Sequence, residues 1–186
     1  MQSFLEALKQ PEYVHVLLNH LPLAGLFAAL LGLLGALVTR HQPGVRLGLV
    51  LVCLFALSAW PVSEFGEEGF DRVLSLTDDA GAAYLKHHKE LADRWVFLFY
   101  VTAGAGALGL AASWKWPKSL WPCAGAVAVL AAGSLVAGAV IADCGGKVRH
   151  REFRFGPVPV EPKDRAMKLT PAETRSAGAR PTRSAS

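Results

Sequence analysis

Hydrophobic residues in this chain do not alternate with polar ones over short stretches. They form four long runs free of Asp, Glu, Lys and Arg, at residues 13–39, 47–63, 95–114 and 119–142. A helix that crosses a bilayer needs about 17–25 such residues. In hydrocarbon every backbone polar group must be satisfied within the segment, so each run is predicted to be a helix. The linker at 40–46 contains Pro43 and Gly44, and the one at 115–118 contains Pro117. Connections this short make helices one and two, and helices three and four, antiparallel neighbours. The expected fold is all-α: an integral membrane four-helix bundle spanning residues 13–155.

The polar stretches fill in the rest. Residues 64–94 carry Glu64, Glu67, Glu68, Asp71, Asp78, Asp79, Glu90 and Asp93 against Arg72, Lys86, Lys89 and Arg94. Asp78 and Asp79 are candidate N-caps for an amphipathic loop helix near 80–94 that runs into the third span. Residues 1–12 offer Phe4, Leu5 and Leu8 to the membrane surface. Their single Lys9 against Glu6 and Glu12 makes a poor basic leader. The run that follows is far longer than a signal-peptide core of about 7–15 residues, so it is read as a retained helix. Residues 156–186 hold Pro157, Pro159, Pro162, Pro171 and Pro181 amid Ser, Ala and Arg. Such a tail does not fold alone and is expected to be extended and to grip a partner.

Two patterns support these boundaries. Trp60 and Trp95 lie at one set of run ends, and Trp114, Trp116 and Trp121 at the other, as in an interfacial aromatic belt. Thr102/Gly106, Ala105/Gly109, Gly133/Ala137 and Ser134/Gly138 are small residues four apart, which permits close helix packing. Composition agrees: 52% of residues are hydrophobic and 18% charged, against about 25% charged in soluble domains. Mean hydropathy is +0.32. The net charge of +4 resides mostly in the tail and does not point to nucleic acid. Lys and Arg are dense in the short linkers (Arg40, Arg46, Lys115, Lys118). That favours those linkers as cytoplasmic, with the acidic loop and both termini periplasmic in a bacterial inner membrane.

Candidate chemistry is confined to histidine. The three cysteines, Cys53, Cys123 and Cys144, form no CxxC or CxxCH, which argues against c-type haem attachment and a zinc knuckle. GxSxG, P-loop, GxGxxG and HExxH are absent, so a stand-alone enzyme is poorly supported. Five of the six histidines fall near one membrane face: His15 and His20 in the first turns of span one, His87 and His88 before span three, and His150 after span four. His41 lies on the other. On a helix, His88 shares a face with Tyr84, Leu85, Leu91 and Ala92, whereas His87 shares one with Glu90 and Arg94. His88 is therefore the better ligand candidate. His15 and Asn19 share a face. His20 lies about 140° around the helix from His15, so the two address different neighbours. Pro22 frees the Leu18 carbonyl as a local partner for His20.

Intramembrane ionisable residues are functional candidates by default. Imidazoles from two helices hold a b-type haem iron from both axial sides. Lys147, Arg149 and Arg151, with Asn19, are placed to receive haem propionates or to support the ligands. The competing chemistry is a zinc or copper ion held by histidine with Glu67, Glu68 or Glu90.

Three stretches also carry a resemblance. They are His15-Val16-Leu17-Leu18-Asn19-His20-Leu21-Pro22; Gly66-Glu67-Glu68-Gly69 with Leu85-Lys86-His87-His88-Lys89-Glu90-Leu91-Ala92; and Gly145-Gly146-Lys147-Val148-Arg149-His150-Arg151-Glu152. In this order, over about residues 13–155, they resemble small bacterial four-helix membrane proteins of the DUF2231 type. The first and third are the specific ones. The family's histidines fall on His15, His20, His88 and His150. Gly69 stands where the family tends to have Ala, and Lys89 at a usual Glu. Those departures weaken an acidic metal ligand there and leave the histidines untouched. Relatives joined to Rieske-type domains imply redox companions.

Three functions follow as expectations. The first is an electron-transfer subunit of a membrane redox complex, with cytochromes or other subunits as partners and haem b on His15, His20, His88 and His150. The second is a cofactor-free accessory subunit. The third is a histidine-based metal-binding membrane protein.

Overall fold

Four helical columns follow the four apolar runs; the second, third and fourth extend past their runs at both ends, and the first runs from two residues before its run to one short of its end. The computed structural model describes residues 2–159, and the tail from residue 160 onward lies outside them. Among the described residues there is no strand. After a short helix α1 (Gln2–Ala7), the first column runs Pro11–Val38 and comprises α2 (Pro11–Leu18), a π-turn (Leu21–Gly25) and α3 (Leu26–Val38). The second, Gln42–Glu68, comprises α4 (Gln42–Leu57) and α5 (Ala59–Glu68). A short α6 (Phe70–Ser75) leads to the third, Asp79–Lys115, which comprises α7 (Asp79–Trp95) and α8 (Phe97–Lys115). The fourth, Pro117–Arg149, is dominated by α9 (Leu120–Arg149).

All four columns are long and apolar enough to cross a membrane, so the chain is a multi-pass membrane protein. The 30 residues of α9 make a rod of about 45 Å, longer than the roughly 30 Å hydrocarbon core. Charge marks where the oil ends, not where the helix ends. The second and third columns likewise extend past the apolar runs at 47–63 and 95–114. The third takes in the loop helix, which starts at the Asp78 cap: Asp78 Oδ1 accepts from the Gly81 N–H at 3.0 Å.

Local breaks have local causes. Pro22 brings no N–H to the ladder, and the chain widens there into the π-turn. Pro61 likewise brings no N–H near the joint between α4 and α5, where the Ser58 hydroxyl donates to Phe55 O at 2.6 Å.

The columns pack as a ring, each on the next and the fourth back on the first. Leu26, Leu33, Leu49, Val52, Leu120 and Val127 fill the centre and are fully buried. Small residues set the spacing. A Cβ on Gly48 would lie 3.0 Å from the Leu33 backbone, and one on Gly106 would lie 2.5 Å from Cys53 Sγ. Thr102 and Ser134, both fully buried, share a hydrogen bond of 2.9 Å across α8 and α9. Each hydroxyl also lies within hydrogen-bonding distance of a carbonyl one turn back on its own helix. Bonds of this kind are worth about 0.6 kcal/mol on average in a membrane protein. Outward-facing Leu31, Leu54, Leu108, Val129 and Val136 give the bundle an apolar exterior. Trp114 and Trp116 stand exposed at one end, and Trp60 and Trp95 at the other.

Candidate functional site

At the end of the bundle that carries the polar loop, the ring divides into two helix pairs. There α2 packs on α5, and α7 packs on α9. Packing between the pairs is sparse. Lys89 Nζ reaches across it to Glu67 Oε1 at 2.7 Å, with Asp93 at 3.7 Å behind the lysine.

His15 on α2 and His88 on α7 meet across this division. Their ring centroids are 6.3 Å apart and their planes are nearly perpendicular, at 88°. Each ring is half-buried. Nδ1 of His15 lies 2.8 Å from Val62 O on α5, and Nδ1 of His88 lies 2.8 Å from Ile141 O on α9. A carbonyl only accepts, so both rings carry their proton on Nδ1. Nε2 is then a bare lone pair on each ring and has no hydrogen-bond partner among the described residues.

Two glycines make these seats. A Cβ on Gly66 would lie 2.8 Å from His15 Nδ1, and a Cβ on Gly145 would lie 3.0 Å from His88 Nδ1 and Cε1. Any larger residue would push the ring off its carbonyl. The phase argument that preferred His88 to His87 agrees with this placement. His87 faces Glu90, 3.5 Å away, at the surface.

The other predicted residues stand apart from the pair. His20 is exposed and has no hydrogen bond to Leu18 O among the described residues. His150 is exposed, stacks on Phe153 at 4.9 Å and pairs with Glu152 at 2.9 Å. Glu152 is held below the usual carboxylate range, chiefly by its own backbone N–H and then by His150. Asn19 follows α2, and its N–H donates to His15 O. Glu67 is engaged by Lys89 and Glu90 by His87, while Glu68 is exposed. Among the described residues no three His, Cys, Asp or Glu side chains gather as a metal site.

The cations foreseen for propionates are partly committed. Lys147 pairs with Asp143 at 2.5 Å, and Arg151 lies 3.3 Å from Asp78. Arg149 is exposed. Arg154 was not among the site residues expected from the sequence, yet it ties the second helix pair together. Its two Nη atoms bind the Asp78 carboxylate at 2.8 and 3.0 Å. It also donates to Lys147 O at 2.7 Å and Val148 O at 2.8 Å. One guanidinium thus satisfies terminal carbonyls of α9 while gripping the cap of α7. This holds Asp78 down at about 2, first through the Arg154 hydrogen bond. At the first pair, Arg72 reaches from α6 to Glu12 at 2.9 Å and to the Gln10 side chain.

Gly66 and Gly145 entered the sequence reading only as letters in motifs. Local sequence does not set them apart: the same β-branched residue four positions before a glycine recurs at Val129/Gly133, where an added Cβ meets nothing within 4 Å. No protein-family model, curated protein or solved structure matches the chain.

Proposed function

We propose that this protein is an electron-transfer subunit of a bacterial inner-membrane complex and holds one b-type haem between His15 and His88. The observation that carries this reading is the pair of imidazoles with both Nδ1 atoms committed to carbonyls and both Nε2 atoms free.

The spacing fits the group. An imidazole–metal bond is about 2 Å, and the ring centre lies about 1 Å beyond the nitrogen. Two imidazoles held by one iron would have centroids about 6 Å apart, and those of His15 and His88 are 6.3 Å apart. A two-histidine set also suits the two axial positions of a haem better than the three or four ligands of zinc. Bound between the rings, haem supplies one-electron redox chemistry. The chain's own residues keep the imidazoles in one tautomer and raise their basicity through the carbonyls. The DUF2231-type resemblance, with its redox companions, points the same way. The Lys/Arg-dense linkers favour a periplasmic acidic loop.

Purified protein should show a Soret band, stoichiometric iron and a six-coordinate low-spin spectrum. His15→Ala and His88→Ala should each abolish the low-spin signal, whereas His20→Ala and His150→Ala should leave it in place. A protein with neither iron nor Soret band overturns the haem reading and leaves a cofactor-free accessory subunit. A low-spin signal lost with His20 but kept without His15 would move the axial ligand.

A further inference from the structure

We infer that the histidine pair is held by one device built twice, with Gly66 and Gly145 as its positioning residues; this deepens the haem reading and rests on it for its ligand. In the ring of columns the first and third are parallel and diagonal, as are the second and fourth. A two-fold rotation along the bundle axis exchanges the members of each diagonal.

The details repeat under that exchange. His15 lies on the first column, and its Nδ1 meets a carbonyl on the second, Val62, with Gly66 one turn further on. His88 lies on the third, and its Nδ1 meets a carbonyl on the fourth, Ile141, with Gly145 one turn further on. Both hydrogen bonds are 2.8 Å. The clamps repeat as well. An arginine from beyond the end of the even-numbered column reaches an acid at the start of the odd-numbered one: Arg72 to Glu12, and Arg154 to Asp78.

Such a device has a physical purpose. A planar ligand with two equivalent faces is met symmetrically when each half of the bundle supplies one imidazole, oriented in the same way. The glycine carries the precision. Because it has no Cβ, the ring edge lies against the neighbouring helix backbone and its N–H reaches the carbonyl squarely. That fixes the tautomer and turns Nε2 away from the helix.

Gly66→Ala and Gly145→Ala test the device, with Gly104→Ala and Gly133→Ala as controls because a Cβ at those positions meets nothing within 4 Å. Haem titration into the purified apoprotein should weaken about 10- to 100-fold in each of the first two, the usual effect of losing the outer partner of a metal-bound histidine. The controls should bind as the wild type does. Imidazole ¹⁵N NMR of the apoprotein should show Nδ1–H tautomers at His15 and His88. Gly66→Ala should disturb His15 alone, and Gly145→Ala should disturb His88 alone.

Wild-type haem affinity and tautomers in either test variant overturn the proposal. Should an alanine variant not fold, an Nε2–H tautomer at either histidine of the wild type overturns it, and Nδ1–H at both supports it. A wild type that takes up no haem defeats the haem reading, and the NMR result then decides the glycine device separately.

Discussion

His15 and His20 are five positions apart, yet one faces a partner histidine and the other is exposed at the bundle surface. The 100° step of the helix makes that separation; phase put the two on different faces and gave His20 a second neighbour to address, whereas its ring is exposed. Asp78 shows the same dependence on a single side chain. Its carboxyl falls from 3.8 to about 2, because Arg154 binds the ionised form. A carboxyl depressed in the folded state stabilises the fold above its unfolded pKa, and the effect is lost as pH falls through the folded value. The advantage of the wild type over Asp78→Asn should therefore be constant above about pH 4 and shrink toward pH 2. Thermal melts in detergent, followed by circular dichroism, measure it. A difference independent of pH over that window would show that Arg154 does not rely on the charge. The cap at Asp78 was legible from sequence, since Asp before an apolar-periodic stretch satisfies free N–H groups. Its arginine partner was not, because 76 positions separate the two.

At the scale of elements, the four columns were readable from the apolar runs, but their ends were not. A run of apolar residues reports the slab of oil, while a helix continues until its backbone finds a cap. The second column thus reaches Glu68 and the fourth Arg149, beyond the charge-free limits at 63 and 142. Those overhangs carry Gly66 and Gly145, the seats of both histidines. Within the slab, the small residues decide how closely columns approach. Gly48→Ala places a methyl group 3.0 Å from the Leu33 backbone, which cannot rotate away. Overpacking of this kind costs about 1–3 kcal/mol, less up to about 1 kcal/mol regained from helix propensity. Gly32→Ala meets nothing within 4 Å and should be neutral or slightly stabilising. Equal unfolding midpoints for the two variants would show that the first and second columns yield freely.

Across the whole molecule, four spans put the linkers near 42 and 118 on one side and the loop near 75 on the other. In a chain with its native cysteines replaced, Gln42→Cys and Lys118→Cys should react together with an impermeant maleimide. Ser75→Cys should react only from the opposite side. Labelling of positions 42 and 75 from the same side would remove a span. The same arrangement collects polarity at one end of the bundle, where the two helix pairs separate and the imidazoles meet. Sidedness was predicted from Lys and Arg in the short linkers, and the labelling assigns it directly.

The sequence by itself determined that this is a four-helix membrane protein, because the backbone must satisfy itself in hydrocarbon and the four uncharged runs have the length of a spanning helix, well beyond the roughly 9–11 residues of a membrane strand. It also placed five histidines near one face, since alternating spans return the chain to the same side. Tertiary structure alone selected two of them. Which ring meets which depends on the rotation and spacing of columns up to 73 positions apart, from His15 to His88. It depends equally on two glycines whose missing Cβ atoms let each imidazole reach a carbonyl on a neighbouring helix. Periodicity gives a residue's direction around its own helix. Only packing gives what lies in that direction.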